Sequence, residues 1–505
     1  MTAKEKWLSL VFGIIWVISA VIRFGQVWNY QTAFTYDQSR DLLDIRALGE
    51  FRDLAVLGPT TSINGLRLGP FYYYINLPAY WAGGGNPQTL VNWNIILFLA
   101  TAGFIFYFFR KKNIVLGFIV GSLFLMAPQM FNVTRYFWNA NMAIYLSVYF
   151  YLAVWNFLEK KDKKSIFWLG ITSGLLTQFE AAFGVVCILF AVVIIVINKK
   201  LGWWKNFLIG LIPWFLPQIA LEIKNRFQMT KLLLGMISGQ NQVLGEKLLL
   251  TETVSSHLKS MIYFFEGQLI LPYGWGIIVF LVAVGLILAN KKYRRYGLYF
   301  LVFWLLALGF YIAVYHHPLK MWYLESLRVW YVLVVGIGIV NISKYQKIIG
   351  IILGVFLIRN FWLTVVDQSK FMNKTGSDDP KNLANLIRNI DWVYEKINGD
   401  GFEAYTYVPE IYDYPNQYLY WWYGVKKYGY MPQKVSYSLA QVPEYVRSQD
   451  EFYRMVKKND KSKIALVYEV KNDYVGWLDQ FKDYCVTDKL ETNWKTMVEI
   501  REKCK

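Results

Sequence analysis

Residues 34–81 read FTYDQSRDLLDIRALGEFRDLAVLGPTTSINGLRLGPFYYYINLPAYW. Asp37, Arg40, Asp41 and Asp44 recur at i, i+3, i+4 and i+7, so a helix puts them on one face. Leu43, Ala47, Phe51 and Leu54 fall on other turns. The spacing predicts an amphipathic helix lying along a membrane surface and stopped by Gly58-Pro59. A second interfacial piece follows, Gly69-Pro70-Phe71-Tyr72-Tyr73-Tyr74, with the aromatic chemistry of a headgroup region.

Working outward, apolar runs flank this loop on both sides. The first runs from Trp7 to about Trp28, too long for a cleaved leader and with no small-residue cleavage pattern after it, so it reads as a retained anchor. Others fall near 90–109, 114–130, 141–158, 166–179, 182–198, 203–221, 273–289, 298–315, 325–342 and 348–366. A helix needs about 20 apolar residues to cross a bilayer, so the pattern predicts a multi-span helical protein of about 11 passes. Composition agrees. Of the 505 residues 55% are hydrophobic and 17% charged, against about 25% charged in soluble proteins. An ordinary soluble enzyme, a disordered chain and a repeat protein are excluded.

Six basic clusters separate the runs: Lys4/Lys6, Arg110 to Lys112, Lys160 to Lys164, Lys199 to Lys205, Lys291 to Arg295, and Lys344/Lys347. Setting all of them in the cytoplasm satisfies the positive-inside rule. Lysines at both ends of 166–198 then demand an even number of passes, which predicts a turn near Gln178-Phe179-Glu180. Nearly all of the net charge of +18 sits in these clusters. It reads as a topology signal facing anionic lipids, and nucleic acid is not expected as a partner.

The remaining connections lie outside on this reading, in a plasma membrane with a cytoplasmic N-terminus. They are the loop 29–89, a turn at 131–140, a loop at 222–272, a segment at 316–324, and the tail from Asp367. The chain divides into a spanning domain, 1–366, and an extracytoplasmic domain, 367–505. Helix-like stretches in the tail (Asp379–Ile397, Tyr414–Tyr428, Pro443–Lys458, Tyr474–Tyr484) alternate with strand-like ones (Phe402–Val408, Lys463–Val470, Thr496–Arg501), so a small α/β domain is expected. Cys485 and Cys504 lie within it and read either as a disulfide or as two free thiols.

Ionisable residues at the ends of spans are functional candidates. They are Arg135 in TRYFWNANM with Trp138 and Asn139 beside it, Glu180 at the predicted turn, Glu222 and Lys224, His316-His317, and Glu325 with Arg328. Each has a plainer reading: Arg135 as a snorkelling side chain, Glu325 and Arg328 as an i,i+3 pair, the histidines as loop residues. Asp37 reads either as a general base or as the N-cap of its helix. Together, Asp37, Arg40, Arg135, Glu180 and Arg328 at one depth suggest an outward polar cavity for a phosphate headgroup. No Gly-rich phosphate loop, G-x-S-x-G, H-E-x-x-H or CxxC occurs, and no metal-ligand set stands out.

The stretches YDQSRDLLDIR (36–46), LGP (57–59), GLRLGPFYYY (65–74) and RYFWNANM (135–142) resemble the GT-C glycosyltransferases, nearest to bacterial members grouped with protein O-mannosyltransferases and the lipid A aminoarabinose transferase. The resemblance covers most of residues 1–340; the ending YLYWWYGVKKYGY (418–430) is similar to other bacterial members. It implies a GT-C fold and transfer of a sugar, with inversion, from a polyprenyl-phosphate donor to a lipid, glycan or protein acceptor outside the membrane. It implies Asp37 as the base on the acceptor hydroxyl and Arg40 near the donor phosphate; Arg67 in the first loop and Arg135 and Arg328 at the outer ends of spans are further candidates for that phosphate. It leaves Asp41, Tyr72, Trp138, Asn139, Glu180, Glu222 and His317 as substrate contacts. The aminoarabinose transferases carry a Lys before the Pro of the second interfacial piece, where this chain has Gly69, and bacterial relatives often have His-Pro at the turn that holds Glu180. Such a transfer needs one base and a neutralised phosphate leaving group, and no second nucleophile. Oligosaccharide transfer from a lipid pyrophosphate, where a divalent metal enters with some donors, and transport of a lipid-linked sugar are the competing expectations.

Overall fold

The computed structural model describes residues 2–61, 63, 65–237, 248–345, 347–407, 413–440, 455–469 and 475–505. Its helices begin with α1 (Ala3–Gln26), α2 (Tyr36–Gly49), α3 (Phe71–Gly83), α4 (Pro87–Arg110), α5 (Ile114–Met126), α6 (Pro128–Thr134), α7 (Asn139–Lys160), α8 (Lys163–Thr177) and α9 (Ala181–Ile197). They continue with α10 (Trp204–Leu211), α11 (Leu216–Lys224), α12 (Gln228–Ile237), α13 (Leu250–Tyr263), α14 (Trp275–Ala289), α15 (Arg294–Val314), α16 (Leu327–Tyr345), α17 (Lys347–Ser369), α18 (Leu383–Ile397) and α19 (Tyr414–Leu419). The chain falls into two compact units. One holds Met1–Phe24, Leu54–Asn76 and Asn92–Phe371; the other holds Gly25–Asp53, Leu77–Val91 and Met372–Lys505.

The first unit is a helical bundle. Every apolar run of the sequence is helical, and the chain is a multi-pass membrane protein. Six helices among the described residues have the length and composition to cross a bilayer, or seven if α5 and α6 form one span bent by 58° at Pro128. The expected eleven is therefore an upper reading. Helices α9 and α14, at 17 and 15 residues, fall short of the roughly 20 that a bilayer asks for. α8 packs against α7, α9 and α10, and α16 against α5, α14 and α17. The α8–α10 crossing is close because it is glycine on glycine: a Cβ at Gly170 would meet the Phe207 carbonyl at 2.2 Å, and one at Gly210 the Phe167 carbonyl at 2.4 Å. Small residues at such crossings let two backbones approach within lipid. The turn predicted at Gln178-Phe179-Glu180 is present, with α8 ending at Thr177 and α9 starting at Ala181.

Arg23 of α1 is fully buried and answers the bend between α5 and α6. It donates to the carbonyls of Leu125 (2.8 Å) and Met130 (2.7 Å) and to the Thr134 hydroxyl (2.6 Å), and stacks 3.8 Å from the Phe131 ring. Carbonyls loosened where a proline interrupts the helix ladder find their donor there.

The second unit carries a five-stranded sheet in the order β2-β1-β3-β5-β4, made of β1 (Glu403–Thr406), β2 (Lys434–Ser436), β3 (Lys463–Glu469), β4 (Tyr484–Glu491) and β5 (Thr496–Lys503). β1 runs parallel to both β2 and β3, while β5 is antiparallel to β3 and β4. Ile464, Leu466, Tyr468, Tyr405, Trp477 and Phe481 form a core on one face. The expected helix at Pro443–Lys458 lies mostly outside the described residues. The expected helix at Tyr474–Tyr484 is shorter, because Tyr484 already opens β4.

Helix α2 belongs to this unit. Its lead-in is tied to the tail by backbone bonds, Phe34 N–H to the Lys381 carbonyl and Leu383 N–H to the Thr32 carbonyl, both 2.8 Å. At its far end Arg46 pairs with Glu50 (3.0 Å) and stacks 3.5 Å from the Trp421 ring. Protein covers α2 on several sides, since Leu42, Leu43, Ile45, Arg40, Asp41 and Arg46 are all buried. One expectation is corrected here: the helix stops at Gly49 rather than at Gly58-Pro59. The Trp81 indole takes the Gly49 carbonyl (3.0 Å), and Phe51 turns into the left-handed region at φ 57°.

Cys485 and Cys504 are joined in a disulfide that closes the β4–β5 hairpin. With a sequence separation of 19 between the cysteines, the cross-link removes about 3 kcal/mol of chain entropy from the unfolded state. Replacing both with serine is expected to lower the urea midpoint of the second unit accordingly. An unchanged midpoint in oxidised protein would count against a structural role.

Candidate active site

The start of α2 is fixed by Thr35. It is the N-cap, and its backbone N–H donates to the Gln38 side chain at 2.9 Å in a capping box. Asp37 therefore lies inside the first turn and is not the cap, which removes the plainer of the two readings of that residue. Arg40 joins two aspartates. Its Nη1 meets Asp37 Oδ1 at 3.0 Å, while Nε and Nη2 donate to Asp41 Oδ1 at 3.0 and 2.8 Å. Asp41 is wholly buried and Arg40 nearly so, whereas the Asp37 side chain is 39% exposed. Burial pushes the Asp41 carboxyl up to about 7, with the Arg40 guanidinium pulling the other way. The buried aspartate thus anchors the arginine, the arginine orients Asp37, and Asp37 alone of the three has ready access to solvent. The structure joins Asp37, Arg40 and Asp41 as the spacing predicted.

The other candidates lie in the first unit and fall into separate groups. Asn139 donates to the Phe179 carbonyl at 2.7 Å, which ties the RYFWN turn to the α8–α9 turn. Glu180 caps α9, accepting from Ala182 N–H at 3.4 Å, and is buried. Trp138 sets its ring 5.6 Å from Trp322, and Tyr72 is fully buried with its ring 6.1 Å from Phe179. Arg135 donates to Asn132 and lies 5.1 Å from the Phe371 ring. Arg328 and Glu325 form the i,i+3 pair that the sequence allowed.

Three more candidates have structural partners. Arg67 Nε donates to the Gly58 carbonyl at 2.9 Å. Glu222 caps α12, accepting from the N–H groups of Met229 (3.0 Å) and Thr230 (2.8 Å). The His317 carbonyl meets the buried His257 ring at 3.0 Å. A Cβ at Gly69 would lie 1.8 Å from the Gln178 amide oxygen, so any side chain there requires the end of the Gln178 side chain to move. Among the described residues no group of three or more His, Cys, Asp or Glu is arranged to hold a metal ion.

Two cavities matter. In the first unit an apolar groove of about 570 Å³ lies along α4, α7 and α8, lined by Leu97, Phe104, Phe108, Leu152, Trp168 and Leu175 among others. In the second unit a smaller cavity of about 60 Å³ is lined by Tyr36, Asn389, Thr406, Tyr407 and Asp413. The sequence reading passed over Asn389 and Asp413. The segment Asp413-Tyr414-Pro415 has the form of a helix start, and Asp413 caps α19.

The chain shares its fold with solved structures of low sequence identity. The chain is similar over 99% of its length to ArnT from Cupriavidus metallidurans in the apo state, with TM-score 0.59, 11% identity and 98% of that chain covered. It is similar to the same ArnT bound to undecaprenyl phosphate with TM-score 0.61, 11% identity and the same coverage. No protein-family model matches the sequence, and neither does a curated protein.

Proposed function

We propose that this protein is a glycosyltransferase that moves a sugar from a polyprenyl-phosphate donor to an acceptor hydroxyl on the extracytoplasmic side of a plasma membrane. The observation that carries the reading is the Asp41–Arg40–Asp37 relay at the head of α2, an oriented and accessible carboxylate held by two buried charges. The likeness to an ArnT bound to undecaprenyl phosphate supports it, as does the apolar groove along α4, α7 and α8, whose chemistry suits an isoprenoid chain.

Asp37 takes the proton from the acceptor hydroxyl as its oxygen attacks the anomeric carbon. The bond from that carbon to the phosphate oxygen breaks on the opposite face, so the configuration inverts, and polyprenyl phosphate leaves as an anion. Arg40, engaged with both aspartates, acts here as a positioning residue for Asp37. Arg67, Arg135 and Arg328 remain candidates for the phosphate, and Trp138, Asn139, Tyr72, Glu180, Glu222 and His317 for the substrates.

Purified protein in liposomes, given a panel of undecaprenyl-phosphate-linked sugars and lipid and glycan acceptors, should release undecaprenyl phosphate and form glycosylated acceptor. Translocation of the lipid-linked sugar with no transfer would replace this reading with transport. Turnover of lipid-pyrophosphate oligosaccharides alone would replace the donor class.

A further inference from the structure

Helix α14 is too short to cross a bilayer, and its neighbours show what is missing. Lys291 to Arg295 stand between α14 and α15, and Lys344 and Lys347 where α16 gives way to α17. These helices therefore share one end, on the basic side of the membrane. Contacts hold the ends level. A Cβ at Gly297 of α15 would lie 2.6 Å from the Ile287 side chain of α14, and the Asn290 amide donates to Asn341 of α16 at 2.9 Å. From that end, at 1.5 Å per residue, α14 rises about 22 Å, α15 about 31 Å and α17 about 34 Å. A layer about 10 Å thick beside the far halves of α15 and α17 is thus left unfilled by α14. It is still apolar, since Val314, Trp362 and Val366 are exposed there.

The chain that precedes α14 fills this layer. α13 packs along α15. Its upstream end is tied beyond the far end of α15, where the Leu248 N–H donates to the His316 carbonyl at 2.8 Å. Its downstream end lies deeper. The Phe265 ring is 6.4 Å from that of Trp304, which stands about 15 Å down α15 from Val314, and 4.5 Å from that of Phe280 in α14. α13 thus descends beside α15, and residues 264–274 join it to α14 below the surface. Non-helical backbone persists at such depth where neighbouring protein satisfies it. Asn360, buried in α17, accepts from the Ile270 N–H at 2.8 Å, and the Gly267 carbonyl accepts from the Gln129 N–H at 3.3 Å. Asn360 stands about 20 Å from the basic end of α17, level with the start of α14.

α13 has three faces. Thr253, His257 and Met261 are buried. One position on, Val254 and Leu258 are exposed and Ile262 is half-buried. Glu252, Ser255 and Lys259 lie exposed on the third side. Side chains tilt toward a helix N-terminus, here toward the surface, so the long Lys259 stem can carry its charge to the headgroups. α13 lies against a span whose own outward residues, Leu298, Leu305 and Val314, are exposed. Its apolar stripe extends the surface which that span gives to lipid.

We propose that residues 250–289 cross the membrane as one broken span, with α13 immersed in a single leaflet and Val254, Leu258 and Ile262 against its acyl chains. Part of the stretch 222–272, expected as an outer loop, then lies within the bilayer. This placement holds whatever the protein transfers.

Spin labels on Val254→Cys, Leu258→Cys and Ile262→Cys, each in the full-length protein in nanodiscs, test it. Cys187 is buried and Cys485 and Cys504 are joined, so the added thiol is the one that labels. Collision with oxygen, which concentrates in lipid, is compared with collision with a water-soluble nickel chelate. Leu305→Cys is the lipid reference, and Lys426→Cys, exposed on the second unit, the water reference. Oxygen should outdo the chelate several-fold at 258 and 262, as at 305, and the ratio should rise from 254 to 258 to 262 because α13 descends. Equal ratios at the three positions put α13 flat on the surface and overturn the proposal. So does a ratio at 258 and 262 that matches position 426. Shielding of all three from both reagents means that protein covers the stripe, and also overturns it. Thermal midpoints identify variants that fold; positions 254 and 258 carry the test if the half-buried 262 does not tolerate a label.

Discussion

Asp37→Asn is expected to lower sugar transfer by roughly 10²- to 10⁴-fold, the contribution of a positioned general base, with thermal stability close to that of the native protein. Asparagine keeps the size and one oxygen of the side chain, so Arg40 retains an acceptor at the 3.0 Å contact. The Thr35–Gln38 cap does not involve Asp37, so α2 should start where it does now. The loss should fall on kcat more than on KM, because the variant can still hold substrates but cannot take the proton. Initial rates in liposomes at saturating donor and acceptor are the measurement. A variant as active as the native enzyme would remove Asp37 from the chemistry, and one that fails to fold would give it a structural role.

Arg40→Ala should act differently. Asp41 is buried and meets the guanidinium at 2.8 Å. Without Arg40 the Asp41 carboxyl loses the cation that pulls it down, takes up a proton and is left as a buried polar group without that partner, at a cost of about 1–3 kcal/mol. The single variant should be destabilised by that amount and inactive. The double variant Arg40→Ala/Asp41→Leu removes both polar partners and should recover most of the stability, yet stay well below native activity, because Asp37 has lost its holder. Recovery of activity with stability would show that Arg40 serves only the fold. Asp41 also gives a pH signature. Its folded value of about 7 lies above the usual carboxylate range near 4. Between those values the folded state holds the proton more tightly, so this group's contribution falls as pH rises from about 4 to 7. Asp41→Asn should flatten that part of the stability profile, as read from thermal melts at steps of pH.

The bundle was legible because membrane spans are declared by apolar length, and the lysines at both ends of 166–198 were enough to require the turn at Glu180. The one-faced spacing of Asp37, Arg40 and Asp41 carried through to an actual relay. Other features depend on contacts that sequence separation hides. Phe51 and Leu54 continue the helical period, but the Trp81 indole ends α2 at Gly49. Strand β4 is an edge strand with most of its side chains exposed, so it lacks the apolar alternation that marked β3.

The assembly of α2 with the tail also sets a timetable. The Tyr418 hydroxyl donates to the Gly85 carbonyl across 333 residues of sequence, and Phe34 waits for Lys381 over a similar distance. At about 5–20 residues per second, the ribosome needs tens of seconds to bridge that gap. Through that interval the helix bearing Asp37 lacks its lasting partners. The contacts that tie this region to the tail are made only when the last quarter of the chain has been synthesised, so a truncated product carries every residue of the Asp37 motif without them.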